Sequence, residues 1–593
     1  MAPSPSIYFL WGRESEVGEM SEHHGYGFTR RGVLTGVASG LALAATESQR
    51  AQAQAAPAQV AGRVSGQDSG QVSGIVFEDR DGSGVASANP GLAGVLVSNG
   101  RDVAVTGADG RYMLPLPDEA TIFVIKPAGF MAPVERETNL PRFYRHHYPK
   151  GSPAELNLRF EGLGPTGPLP ASVDFPLRRQ DEPEAFNAVM VSDPQPETGA
   201  EVDFVREDLI EALAGADAKF GLTAGDIMFD DLSLYPRSNA IMGSIGLTWW
   251  NVGGNHDLNL DAPDRRYSRE TYKRVFGPNY YAFFYAKTLF LMLDDVNYLG
   301  PDPRRPGGRY EGRFDEGQLA FVRNVLKHTP GDTLIVMVMH IPIRTFLGDE
   351  PYQNLQGREA FFDLFEGRRF AVSFAGHTHT TEHHYFDGSD GWKGAAPLHQ
   401  HILTTLSGSW WSGPSDHRGV PSADSRDGTP NGFHILSVDG NGYTTRFVPA
   451  KEPNGRQMRL SLLSRSHGIG KDIDRDFRQV RLLGSPVPRE ALSASTLVAN
   501  VFDGGDKTRV KMIIGDLAPI EMIRSARPDP FVQEVFARNE ATKKAWASAD
   551  ISSHIWTARL PRDLKAGTYQ VIVAATGEYG QPLSGRLALE VKG

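Results

Sequence analysis

Cysteine is absent from all 593 residues. That gap excludes disulfide staples, thiolate-ligated metals and cysteine nucleophiles at once. An excess of one charge sign is also missing. Lys and Arg number 61 against 71 Asp and Glu, for a formal net charge of -10, which is mild at this length and gives no reason to expect a nucleic-acid-binding surface. After residue 55 no run is apolar enough for a membrane helix, so the mature chain is expected to lack a transmembrane segment. No Gly-rich phosphate loop of the Walker kind is evident either.

The chain is too long for one core, and two to four domains are expected. It is 40% hydrophobic with 64 Gly and 40 Pro, a composition that suits a loop-rich, β-containing protein. Near the N-terminus Thr29-Arg30-Arg31-Gly32-Val33-Leu34 leads into an apolar run ending at Ala45, and Ala51-Gln-Ala53-Gln-Ala55 follows. A charged start, a short apolar stretch and small residues at a cleavage point make residues 1–55 a signal peptide with an upstream extension. The paired arginines point to the twin-arginine route, hence to a periplasmic or secreted protein.

Residues 56–178 carry short β runs at 74–77, 94–97, 111–114 and 121–125, separated by Asp/Gly/Pro loops at the spacing of a β-sandwich. Asp79-Arg-Asp81-Gly-Ser-Gly84 alternates oxygens like a Ca²⁺ loop but lacks a distal Glu, and is taken as a turn. A Pro/Gly linker at 162–170 precedes a change of texture. Across 183–450 strands alternate with amphipathic helices: strands at 188–191, 220–222, 247–252, 334–338 and 370–374, helices at 202–213 and 317–326, and two antiparallel strands within 280–293. Residues 432–438 and 443–447 have a hairpin signature. The remainder, 451–593, is β-rich. There 497–502 is expected to pair with 508–514, 567–573 and 586–591 to close the domain, and one helix to span 530–546.

Five polar clusters follow five of the apolar runs in 183–450: Asp193-Pro-Gln195, Gly225-Asp226, Gly254-Asn255-His256-Asp257, His340 and Gly376-His377-Thr378-His379. Each lies at the C-terminal end of its strand, so all are expected at one edge of the sheet, where open α/β sheets bind ligands. Carboxylate, amide oxygen and imidazole donors without any thiol suit Mn²⁺, Fe or Zn²⁺.

In that order the clusters resemble the calcineurin-like metallophosphoesterase superfamily, with Gln195 where His is usual. Gly408-Ser-Trp-Trp-Ser-Gly413 and Asp427-Gly-Thr-Pro-Asn-Gly-Phe433 extend the resemblance to a three-domain bacterial subtype. The resemblance implies an α/β fold: a layered β-sandwich flanked by helices, with N-terminal and C-terminal β-sandwich domains added. It also implies two divalent ions, manganese first, with iron or zinc as alternatives. Asp193, Gln195, Asp226 and His379 would hold one ion, and Asp226, Asn255, His340 and His377 the other. A hydroxide bridging the ions would then attack a small-molecule or cell-envelope phosphate ester. His256 is the candidate general acid, oriented by Asp257 or by Asp230 and Asp231, and Trp410 and Trp411 are candidate walls of the substrate pocket. His383, His384, His399 and His401 are taken as strand and rim residues. The competing reading is a non-catalytic cell-envelope binding protein that retains the fold.

Overall fold

A computed structural model describes residues 70–213, 216–452, 455–463 and 485–593. The expected signal peptide, residues 1–55 with Arg30 and Arg31, lies outside them. No helix among the described residues is long and apolar enough to cross a membrane.

The middle of the chain is two facing sheets. In the first, Ala185–Val191, Phe220–Ala224 and Thr248–Val252 run parallel, and the hairpin Gly432–Asp439 with Gly442–Pro449 extends it antiparallel. In the second, Thr288–Met292, Leu334–Val338, Ala371–Ala375 and Leu398–Ile402 run parallel. Tyr281–Tyr285 and Glu382–Phe386 close its two edges antiparallel.

Side-chain alternation explains the layering. Phe186, Ala188 and Met190 join the core between the sheets, whereas Val189 and Val191 join Val205, Leu209 and Leu213 of the helix Gly199–Leu213. A strand covered on both faces reads as a continuous apolar run, which is why these strands were visible in the sequence. Between the sheets Trp250 stacks on Phe283 at 4.2 Å and Phe283 on Phe290 at 4.8 Å. Burial of each phenylalanine there contributes about 1.5–3 kcal/mol.

One expectation changes here. The five polar clusters do not share one sheet: three of the strands before them belong to the first sheet and two to the second. The donors therefore meet across the seam between two sheet edges. Apolar periodicity marks a strand but carries no information on which sheet it joins.

The N-terminal strands also form two sheets. Gly70–Glu78 pairs with Arg111–Leu116 and Phe175–Arg179, and Leu96–Ser98 and Ala120–Ile125 belong to the other sheet. That second sheet leans on the middle region. Phe143 lies 5.3 Å from Trp250, and the buried Lys126 ammonium is 2.6 Å from Glu182 and donates to the Phe284 carbonyl at 2.7 Å. Asp79 and Asp81 accept the N–H groups of Gly84 and Ser83, each at 3.0 Å, as a turn requires.

Toward the C-terminus the expected pairing of 497–502 with 508–514 is not formed. Thr496–Val501 pairs with Met458–Leu463 and Ile555–Arg559, while Arg509–Ile514 pairs with Gly567–Thr576 in the opposite sheet. Asp503, at φ 61°, and the two glycines after it carry the chain across rather than back. The expected helix also stops early, at Pro530–Arg538, where the Asn539 amide caps the Val535 carbonyl at 2.8 Å. The chain beyond it turns back onto the middle region through Lys544 and Trp546, and Lys544 reaches Glu201 at 2.9 Å.

Candidate metal centre

Four side chains converge at the seam between the sheets. His340 follows the strand Leu334–Val338, and its Nε2 lies 3.0 Å from Asn255 Oδ1, 3.2 Å from Asp226 Oδ2 and 3.2 Å from His377 Nδ1. The opposite nitrogen of each imidazole meets a backbone carbonyl: His340 Nδ1 donates to Ala224 at 2.9 Å and His377 Nε2 to Tyr352 at 2.9 Å. Those bonds orient the rings so that His340 Nε2 and His377 Nδ1 turn toward one point beside a carboxylate and an amide oxygen, where a cation would take the place of the His340 proton. The donor set fits a divalent cation of borderline hardness.

The backbone is bent to achieve this. Among the described residues eleven other than glycine have positive φ, and six of them ring this site: Asp193, Asp226, Asp230, His377, His379 and Trp410, between 46° and 76°. Such conformations cost on the order of 1–3 kcal/mol each and persist only where the surroundings enforce them. The glycines of the motifs have a different cause. A Cβ on Gly254 would stand 2.1 Å from Asp226 Oδ1, and one on Gly376 would stand 2.3 Å from Asp193 Oδ2.

Electrostatics favour an added positive charge. Burial beside Asp226 pushes the Asp193 carboxyl up to about 7. Burial works against the charged form of His340, but Asp226 and Asp193 outweigh it and hold its pKa up to about 10. His377 and His379 are driven down to about 3, chiefly by burial. Two buried carboxylates among imidazoles thus retain a proton where a cation can replace it.

His256 stands beside this cluster without joining it. Its backbone N–H donates to Asp226 Oδ1 at 2.9 Å, and its Nδ1 pairs with Asp230 Oδ1 at 2.8 Å. The ring lies flat on Phe229, with centroids 4.2 Å apart. Burial lowers the charged form, but Asp226 and Asp230 raise the pKa to about 9, so the ring carries a proton at neutral pH.

Three of the residues expected at the site have other work. Asp257 does not orient His256. Its carboxylate accepts the N–H groups of Ile227, Met228 and Gly254 and the Tyr235 hydroxyl, at 2.8 to 3.1 Å, and so ties the Asp226 loop to the Asn255 loop. Asp231 caps the turn at Ser233, which leaves Asp230 as the partner of His256. Trp411 is buried against Phe204, and its indole N–H donates to Asp208 at 3.3 Å, away from the centre. Trp410, by contrast, stacks on His379 at 4.2 Å.

Gln195 departs most from its expected orientation. The Trp410 indole N–H donates to Gln195 Oε1 at 2.8 Å. An indole N–H only donates, so the amide oxygen must face it. The amide nitrogen therefore points at Asp193 Oδ1, Asp226 Oδ2 and His379 Nε2, at 3.3, 3.4 and 2.9 Å. The Gln195 oxygen expected as a ligand thus faces Trp410, while the expected ligands Asp193, Asp226 and His379 surround its amide nitrogen. Gln195→Ala is accordingly expected to leave the metal bound after dialysis unchanged while lowering turnover about tenfold, the scale of one lost hydrogen bond to charge. Loss of an equivalent of metal on elemental analysis would return Gln195 to the ligand set.

Some supporting residues had no local signal. Arg269 is buried and donates to the carbonyls of Gly253, Gly254 and Asp257 while pairing with Asp294 at 2.9 Å. Asp295 accepts the N–H groups of His340 and Ile341, each at 3.2 Å. The double acid Asp294-Asp295 just after an apolar strand was the one hint available.

Two families match parts of the chain: the one described as N terminal of Calcineurin-like phosphoesterase at residues 78–162, and the one described as C terminal of Calcineurin-like phosphoesterase at residues 400–582. No curated protein matches. Among solved structures, a dimetal phosphatase from Danio rerio is 14% identical, with 45% of this chain and 99% of that one covered at a TM-score of 0.28. A purple acid phosphatase from yellow lupin (Lupinus luteus) seeds is 11% identical, with 61% and 68% covered at a TM-score of 0.32.

Proposed function

We propose that the chain, a calcineurin-like phosphoesterase by the family matches at residues 78–162 and 400–582, is an exported, manganese-dependent hydrolase acting on phosphate esters with a flat apolar leaving group. The observation that carries the reading is the meeting of His340 Nε2, His377 Nδ1, Asn255 Oδ1 and Asp226 Oδ2, with His256 held by Asp230 alongside. Divalent ions held by such donors supply an activated water and offset charge on phosphoryl oxygens. Two imidazole nitrogens and two oxygens without thiolate suit a divalent ion of borderline hardness, with manganese put first and iron or zinc as alternatives.

The chain's own groups do the rest. His256 gives its proton to the departing ester oxygen, while Asp230 keeps the ring oriented. The Gln195 amide N–H groups face the carboxylates and serve as donors to a phosphoryl oxygen or the attacking water. Trp546, 47% exposed, stacks on Phe229 at 5.6 Å and stands edge-on to Trp410 at 6.0 Å. Together these rings form an aromatic wall beside His256, where a planar leaving group gains stacking area.

Purified protein freed of metal by chelation is expected to hydrolyse an aryl phosphate only after Mn²⁺ is added, and to prefer it to methyl phosphate. Silence with every divalent ion would overturn the reading. Export by the twin-arginine route rests on Arg30-Arg31 and the Ala-rich stretch after them. Exchange of both arginines for lysine should remove the mature form from the periplasm, and an undiminished periplasmic fraction would refute that route.

A further inference from the structure

A second group of imidazoles lies away from the candidate centre, where the two central sheets meet the C-terminal sandwich. His383 and His401 are direct cross-strand partners on Glu382–Phe386 and Leu398–Ile402. His434 comes from Gly432–Asp439 of the facing sheet, and Asp503 from the crossover after Thr496–Val501. The sequence placed the first two among strand and rim residues. The structure buries all four side chains, with the three imidazoles at 0% exposure and Asp503 at 5%.

Three imidazole nitrogens approach a single carboxylate oxygen. The Nε2 atoms of His401, His383 and His434 stand 2.7, 3.2 and 3.2 Å from Asp503 Oδ1. One oxygen has two lone pairs, so three N–H donors exceed what it can accept. His401 Nε2 in fact makes no hydrogen bond despite being nearest, and His434 Nδ1 is likewise buried without a partner. The crowding is also held by strained backbone, since Asp503 adopts φ 61°.

These features make sense around a cation. Zinc at 2.0–2.1 Å from each ligand spaces tetrahedral ligand atoms about 3.3 Å apart; ligand atoms of His383, His401 and Asp503 lie within 4.8 Å of one another, and His434 Nε2 approaches the same carboxylate oxygen from the facing sheet at 3.2 Å. The outer hydrogen bonds suit the role. His383 Nδ1 pairs with His399 Nε2 at 2.9 Å, and His399 Nδ1 with the Tyr443 hydroxyl at 2.8 Å. His401 Nδ1 meets Thr445 Oγ1 at 3.4 Å. Partners at Nδ1 leave Nε2 free to bind metal.

We propose that His383, His401, His434 and Asp503 form a structural site for one tetrahedral divalent ion of the zinc class, separate from the catalytic pair. It staples the C-terminal sandwich, which carries Trp546, onto the central sheets. Three protein nitrogens and one carboxylate leave no open position for substrate, so the site closes the interface and performs no chemistry. Its failure and that of the hydrolase reading are separable, because neither depends on the other.

The test is elemental analysis of the full chain after gel filtration, with Asp226→Asn used to weaken the catalytic centre. One equivalent of zinc is expected to survive in Asp226→Asn and to be lost when His401→Gln or Asp503→Asn is added. A chain whose zinc content is unaffected by either added change refutes the site. Because those changes can also prevent folding, Co²⁺ exchange into Asp226→Asn alone gives a second measurement. An intense visible absorption of tetrahedral Co²⁺ supports the assignment, and its absence shows a hydrogen-bonded cluster only.

Discussion

Asp226→Asn is expected to abolish phosphate ester hydrolysis, with kcat/KM falling roughly 10³-fold or more. That corresponds to the several kcal/mol of transition-state stabilisation a metal centre supplies. The side chain is 2% exposed and lies between two groups of donors: Oδ2 faces His340 at 3.2 Å and the Gln195 amide at 3.4 Å, while Oδ1 accepts the His256 N–H at 2.9 Å. An asparagine preserves the last bond and the volume but removes the one charge positioned to serve both ions. The two loops should stay in place, because Asp257 ties them through four other hydrogen bonds. Circular dichroism should therefore match wild type while metal at this centre falls. Activity within tenfold of wild type, with metal retained, would show that Asp226 does not bridge.

The parts of this centre that the sequence disclosed are those set by local physics. Apolar runs such as 188–191 and 334–338 are buried on both faces, so each strand and the polar residue ending it could be located directly. Positions were therefore legible; orientations were not. An amide beside Asp193 offers an oxygen to an ion, yet the atom that turns that oxygen, Trp410 Nε1, lies 215 residues further along the chain. Asp257 adjoins His256 in sequence, but in a tight turn adjacent side chains diverge. The carboxylate that reaches the ring belongs to Asp230, 26 residues away.

The same limit applies to the fold. Strands 497–502 and 508–514 are close in sequence, and short separation usually means a hairpin. Here the left-handed turn at Asp503 sends the second strand to the opposite sheet, and the energy of that choice lies in distant pairings with Met458–Leu463 and Gly567–Thr576. His383, His401 and His434 showed only as scattered polar residues in β runs. Their convergence depends on two sheets and a third layer meeting, which no window of sequence contains.

His256→Ala should leave metal content unchanged and separate substrates by their leaving group. Nδ1 is committed to Asp230 at 2.8 Å, so Nε2 is the nitrogen available to pass a proton to the ester oxygen. An alkyl oxide leaves badly without that proton, and removal of a general acid costs about 10²–10⁴-fold. An aryl oxide is a weaker base and needs little help, so its loss should be about tenfold or less. The pH dependence follows from the same ring. Asp226 and Asp230 outweigh burial and raise its pKa to about 9, which makes it a charged donor at pH 7 and a neutral acceptor above that value. Divalent ions beside it pull the value down, so wild-type activity on alkyl esters should decline along an alkaline limb at or below about pH 9. The alanine variant should lack that limb, since it has no proton there to lose. Equal losses for alkyl and aryl esters, with the limb intact, would mean that His256 acts only through its charge and that another group protonates the leaving oxygen.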